Sequence, residues 1–288
     1  MNEYWSARVD AAVNAAKGDV SIEDLPIRTN ETSNAYSVRF NGVGDYPLYA
    51  YLHIPKSPGP HVPLFQAPGY GSVVGVPLYE RRAAYVVMAL CHRGQRLANS
   101  RYDAAYPGLL TDGLPGEDTY VWGDIVSDCI TAIQILLQQP NIDASRLAIS
   151  GGDLAFITAA LTDGVHALHS GGLMFADIDN RVAGDPDYPL AEFNDFKRTY
   201  PDDWDEARAT LDNYDPMALV SDVSAKKVLF STGAGEKDYY DQLAAGLSGQ
   251  ATVGINLGKG HLDHIAQEDW LANACGVEKG PAHYPRKS

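Results

Sequence analysis

Residues 146–162 read RLAISGGDLAFITAALT, and this stretch decides the fold. Its first half, Arg146 to Ser150, is short and mainly apolar, as expected of a buried strand. Gly151 and Gly152 follow, then Asp153, then an Ala-, Ile- and Leu-rich run expected to be helical. The segment therefore predicts a strand, a tight turn and a helix, with a reactive type of side chain at the apex. The next amide, that of Leu154, falls at the helix start, where an N–H has no helical acceptor and can donate to an anion.

Outward from this junction the same alternation continues. Residues 35–41 (AYSVRFN) and 47–54 (PLYAYLHI) alternate like antiparallel strands around the turn-forming Gly42-Val43-Gly44-Asp45. Short apolar runs at 62–66, 85–90, 146–150 and 227–231 follow, and three of the four have the continuous apolar character of buried parallel strands. The clearest helix is 124–138, where Ile125, Cys129, Ala132, Ile133 and Leu136 share a face, with Asp124 and Asp128 in its early turns. An amphipathic helix is also expected at the N-terminus, with Tyr4, Val9 and Val13 near one stripe. Strands alternating with helices predict an α/β fold with a mostly parallel sheet covered on both faces. No repeat or linker interrupts the chain, so residues 1–288 are expected to form one domain. The Asp-, Pro- and aromatic-rich stretch from 176 to 215 breaks the rhythm and is expected to form a cap or peripheral excursion.

The chain has 288 residues, of which 45% are apolar, enough to build a sizeable core. Its formal charge is −15, from 37 acidic against 22 basic residues. Such a surface repels phosphate backbones and anionic lipid, and Arg81-Arg82 and Lys226-Lys227 are isolated pairs rather than a basic patch. Nucleic acid and membrane are therefore not expected partners; a small-molecule substrate is. Three cysteines, Cys91, Cys129 and Cys275, lack metal-like spacing, and His92, His166 and His169 lack ligand partners at such spacing. No metal or other cofactor is expected. The N-terminus lacks a basic region followed by an apolar one, and a cytoplasmic location is expected.

An ordered set of motifs resembles the acetyl xylan esterase/cephalosporin C deacetylase family, the seventh carbohydrate-esterase family of the α/β-hydrolase superfamily. It comprises Ala67-Pro68-Gly69-Tyr70-Gly71, His92-Arg93-Gly94-Gln95, residues 108–123, the elbow at 146–153, VLFSTGAGE at 228–236 and Gly258-Lys259-Gly260-His261. The resemblance implies an α/β-hydrolase fold in which the amides of Tyr70 and Leu154 form an oxyanion hole. It also implies that Glu236 is the triad acid, with Asp238 as the alternative, and that His261 is the triad base, with His264 as a fallback. Arg93, Gly94 and Gln95 are expected to support the site, the guanidinium tying loops through bidentate bonds. Family members often form oligomers, so a homo-oligomer is expected.

This chain departs from the pattern where the chemistry lies. Gly-Gly-Ser-Gln-Gly-Gly has become Gly-Gly-Asp-Leu-Ala-Phe, and the acid and histidine loops are altered too. Without a hydroxyl at the apex, serine-esterase acylation has no nucleophile. Aspartate at this position resembles the haloalkane dehalogenase and epoxide hydrolase families, in which a carboxylate forms an alkyl-enzyme ester. An Asp153–His261–Glu236 set would then use His261 to activate water against that ester. Two other readings stand beside it. One is a catalytically silent binding protein in which Asp153 serves the helix start. The other is weak ester hydrolysis through an Asp153–His261 pair that activates water. Ser150, at the strand end, is a remote alternative nucleophile.

Overall fold

The computed structural model describes residues 2–184 and 186–280. Asp185, inside the expected excursion, and residues 281–288 of the expected single domain lie outside the described residues. The chain opens with helix α1 (Glu3–Ala15), capped by the Asn2 side chain, which accepts from the Trp5 amide. Its buried line runs through Trp5, Ala12 and Ala16, while Tyr4, Val9 and Val13 are half-buried beside it. The core thus takes the indole and two methyl groups, because close approach to a neighbouring helix favours small residues there.

Strands β1 (Val20–Asp24), β2 (Ser33–Gly42) and β3 (Tyr46–Pro55) form an antiparallel meander. The chain then enters β4 (Val62–Gln66), the short helix α2 (Tyr79–Ala84), β5 (Tyr85–Cys91) and the long helix α3 (Val121–Leu136). After it come β6 (Ala148–Gly151), α4 (Asp153–Ala160) and β7 (Ala167–Gly171). Between β7 and the next strand lie α5 (Ile178–Ala183), α6 (Ala191–Thr199), α7 (Trp204–Asp212) and the short α8 (Pro216–Leu219). The chain closes through β8 (Lys227–Thr232), α9 (Lys237–Gly246), β9 (Gln250–Ile255) and α10 (His261–Cys275).

All nine strands join one sheet in the order β1-β2-β3-β5-β4-β6-β7-β8-β9. From β5 to β9 every pairing is parallel, whereas β3 meets β5 antiparallel. This is the α/β-hydrolase arrangement expected from the alternation. The central strands are apolar on both faces because both faces are covered: every residue of β5 is buried. One face carries the larger core, with α1, α3, α4 and α9. The other carries a smaller cluster in which Leu271, Ala274 and Cys275 of α10 pack on Val62, Leu64, Val87, Ala148 and Ala167. α10 ends at Gly276, whose φ of 61° is the left-handed conformation that glycine adopts without strain. Among the described residues no helix is long and apolar enough to cross a membrane.

Candidate functional site

The expected junction is present: β6 ends at Gly151, Gly152 caps α4, and Asp153 is the first helical residue. Little room exists for larger residues, since a Cβ at Gly151 would sit 3.0 Å from that of Ala67. Asp153 is 3% exposed. Its carboxylate does not cap α4. One oxygen accepts from the amide of Met174 at 2.9 Å and the other from the amide of Phe175 at 3.1 Å. Burial pushes this carboxyl up to about 6, against the opposing pull of those two N–H groups. Asp153 therefore clasps the chain between β7 and α5.

The other expected triad members are placed elsewhere. Glu236 precedes α9, where it pairs with Arg181 and accepts from the Thr232 hydroxyl at 3.2 Å. Asp238 lies in the first turn of α9. His261 is exposed at the first position of α10, in the wall of a cavity of about 860 Å³ that His264 also lines. No hydrogen bond joins His261 to Asp153 or Glu236 among the described residues. That cavity and two smaller ones, of about 460 and 200 Å³, have no wall contributed by Asp153.

The supporting residues are tightly organised. Arg93 is bidentate to Asp128, at 3.0 and 2.8 Å, donates its amide to the same carboxylate, and pairs with Asp124. Its guanidinium also donates to the Val43 carbonyl and lies over the Tyr46 ring. Burial raises the Asp128 carboxyl, while Arg93 opposes the shift. Gly94, at φ 82°, lets the chain turn, and Gln95 then donates to the carbonyls of Gly69 and Gly71 at 3.1 and 2.7 Å. These bonds fix the loop that carries Tyr70. The Tyr70 hydroxyl reaches Glu192 of α6, whose other oxygen accepts from the Leu110 amide at 2.8 Å. Helix α6 is thereby tied to the Tyr70 loop.

Sequence reasoning missed a second polar cluster on the opposite side of β6. The Ser150 hydroxyl lies 3.0 Å from Nδ1 of His169, and His169 Nε2 lies 3.0 Å from the Ser231 hydroxyl. Arg81 donates to Ser150, to Gln66 and bidentately to Glu268. Burial, and then Arg81, push His169 down to about 4, so it is neutral at physiological pH. A Ser–His pair is an acyl-transfer arrangement in outline, yet Ser150 is 2% exposed and its hydroxyl accepts from a guanidinium. The strand periodicity of 148–151 was the available signal: it puts Ser150 on the face opposite Ile149. Among the described residues, no group of three His, Cys, Asp or Glu could hold a metal ion.

Comparison with known proteins agrees with this architecture. The family model described as acetyl xylan esterase matches residues 1–239, a span that ends before β9 and His261. An acetyl xylan esterase from Paenibacillus sp. R4 superposes with a TM-score of 0.81 at 20% identity, covering 94% of this chain and 93% of that one. Acetyl xylan esterase 1 from Thermoanaerobacterium sp. JW/SL YS485 gives a TM-score of 0.76 at 18% identity, covering 94% and 92%. Prolyl oligopeptidase B from Galerina marginata gives 0.60 at 13%, covering 86% of this chain but 38% of that one.

Proposed function

This chain belongs to the acetyl xylan esterase family, and from that premise we propose that it is a ligand-binding member whose elbow performs no acyl transfer. One observation carries the reading: both carboxylate oxygens of Asp153 accept backbone N–H bonds from Met174 and Phe175 at a buried position. A carboxylate attacking carbon must present an unencumbered oxygen to the substrate. Freeing one here would leave a buried amide without its acceptor, at a cost of about 1–3 kcal/mol. The apex offers no hydroxyl, and the base expected to serve it is exposed in the wall of a cavity that Asp153 does not line. These features support binding over turnover.

The test uses the wild-type chain with p-nitrophenyl acetate and with a short haloalkane or epoxide in heavy-oxygen water. The expected result is hydrolysis no faster than buffer and no label in the peptide containing Asp153. Turnover that disappears in Asp153→Asn, or label in that carboxylate, would overturn the reading.

A second reading is favoured by the position of Asp153 at the apex of the turn, beside the Leu154 amide at the start of α4. In it, a carboxylate oxygen bonds to a saturated carbon. The carbon–halogen bond breaks with its electron pair leaving on halide, or an epoxide carbon–oxygen bond opens to an alkoxide that takes a proton from solvent water. Water, losing a proton to His261, then adds to the ester carbonyl, with Glu236 partnering the imidazole. The alcohol leaves and the carboxylate returns. The amides of Tyr70 and Leu154 would hold the tetrahedral oxyanion.

A further inference from the structure

The cavity of about 860 Å³ is bounded by the segment 27–31, by residues 76–80 with Arg82, and by His261, His264 and Ile265. Its volume lies within the range of small-molecule sites. Three side-chain atoms of residues around it, Asn30 Nδ2, Arg82 Nε and His264 Nε2, are buried away from solvent and make no hydrogen bond among the described residues, although His264 Nε2 lies 3.9 Å from Glu268 Oε1. Asn30 Oδ1, in contrast, accepts four bonds from Thr32 and Ser33. The unmet need in this wall is thus chiefly for acceptors. Buried polar groups in folded proteins are normally satisfied, so three such atoms in one cavity require explanation.

Charge sharpens the point. The chain has 37 carboxylates for 22 basic side chains. Arg81, Arg93, Arg146, Arg181 and Arg208 each hold a carboxylate within 4 Å. Arg28 and Arg82, both in this wall, make neither an ion pair nor a side-chain hydrogen bond with a described residue. Burial chiefly lowers the proton affinity of Arg82; Arg28 lowers it further, while Tyr79, Glu31 and Glu80 oppose the shift. Glu31 and Glu80 share this wall: Glu31 accepts from the Tyr79 hydroxyl, and Glu80 sits in the first turn of α2. Behind them His53, fully buried, is pushed down to about 4 by burial and then by Arg82 and Arg28. Ile27, 84% exposed, together with Val76, Pro77, Leu78 and Ile265, supplies an apolar wall.

We infer that this cavity binds a small organic carboxylate with an apolar body. Arg82 and Arg28 receive the carboxylate, and the chain of the ligand lies along Ile27, Leu78 and Ile265. This names the ligand class for the binding function proposed above and rests on that reading. A guanidinium donates two parallel N–H bonds to a planar carboxylate, an arrangement that a neutral amide cannot reproduce.

Calorimetric titration of the full chain with octanoate, against octanamide, tests the inference. Saturable one-to-one binding of octanoate is expected, with octanamide at least tenfold weaker. Arg28→Gln, at an exposed position where folding is insensitive, should weaken octanoate at least fivefold. Ile27→Asp should do the same, whereas Arg198→Gln at a remote exposed ion pair should not. Equal affinity for acid and amide, no octanoate binding, or unchanged affinity in Arg28→Gln would overturn it. Acetyl-ester turnover is followed on the same sample. Octanoate binding accompanied by turnover keeps this inference and defeats the silent elbow; absence of both defeats this inference alone.

Discussion

Arg81 and Arg82 leave α2 side by side and reach two different environments. Arg81 turns inward, where Glu268, Ser150 and Gln66 take up its N–H groups and His169 and Ser231 extend the cluster across the sheet. Arg82 turns toward the large cavity, with its Nε buried and unpartnered among the described residues. The difference separates two uses of charge. On the Arg81 side, every donor is answered by another part of the chain, as happens also at Asp153 and at Arg93. On the Arg82 side, the guanidinium lines a cavity with no ion pair to a described residue. Stability is expected to depend strongly on the first kind of residue and weakly on the second.

Removing Arg81 gives the largest expected effect. In Arg81→Met, Glu268 stays behind at 6% side-chain exposure with its charge uncompensated. Breaking a buried pair in this way costs about 3–5 kcal/mol. Urea unfolding should show a lower midpoint with an unchanged slope. The double variant Arg81→Met with Glu268→Leu should recover most of the loss, because it removes the orphaned charge as well. If the single variant unfolds like wild type, the closed side of the comparison collapses.

The elbow gives a smaller, pH-dependent effect. The folded-state value of Asp153, about 6, lies above the ordinary 3.8, so the folded chain holds that proton more tightly than the unfolded chain. The group's contribution is therefore fullest below about pH 4 and declines as pH rises to about 6, by about 3 kcal/mol in total. His53, His92 and His169, each pushed down to about 4 by burial, act oppositely: their contribution is present above about 6.5 and lost on acidification. Comparison with Asp153→Asn isolates the carboxyl. The stability difference, wild type minus variant, should shrink between pH 4 and 6. Parallel profiles would show that Asp153 does not titrate as a buried clasp.

How far the sequence discloses these arrangements depends on the range of the forces involved. The runs at 62–66, 85–90 and 227–231 declare themselves as strands because continuous apolar character is demanded by helices on both faces. β7, with sequence Ala167-Leu168-His169-Ser170-Gly171, has two polar residues within its five and escapes the same reading. The elbow is legible because tight backbone approach requires Gly151. The partners of Asp153 are not, since they depend on how the chain between β7 and α5 lies against α4. Arg93 is expected from sequence to tie loops, and its guanidinium bonds Asp128, Asp124 and the Val43 carbonyl. Its partner Asp128 looks from sequence like a residue placed for the helix dipole, and the fold uses it as a buried counter-ion. Arg81 and Arg82 look alike in the chain, and only α10, far along the sequence, distinguishes them.

Arg82→Met provides the smallest expected effect and the sharpest contrast with its neighbour. The guanidinium there has lost part of its hydration to burial without gaining a carboxylate, and its proton affinity is lowered chiefly for that reason. Methionine keeps the stem's apolar contact and removes the unpartnered Nε. It also relieves repulsion from Arg28. Folding stability in the absence of ligand should therefore stay level or rise, by no more than about 1 kcal/mol. The same substitution one residue earlier should cost several times as much. Thermal unfolding of the two single variants, with and without octanoate, reads this directly. Octanoate should raise the wild-type midpoint, since a ligand that binds the folded chain stabilises it by mass action, and should leave Arg82→Met unmoved. If Arg82→Met is destabilised as severely as Arg81→Met, Arg82 belongs to the closed structural side and the comparison fails.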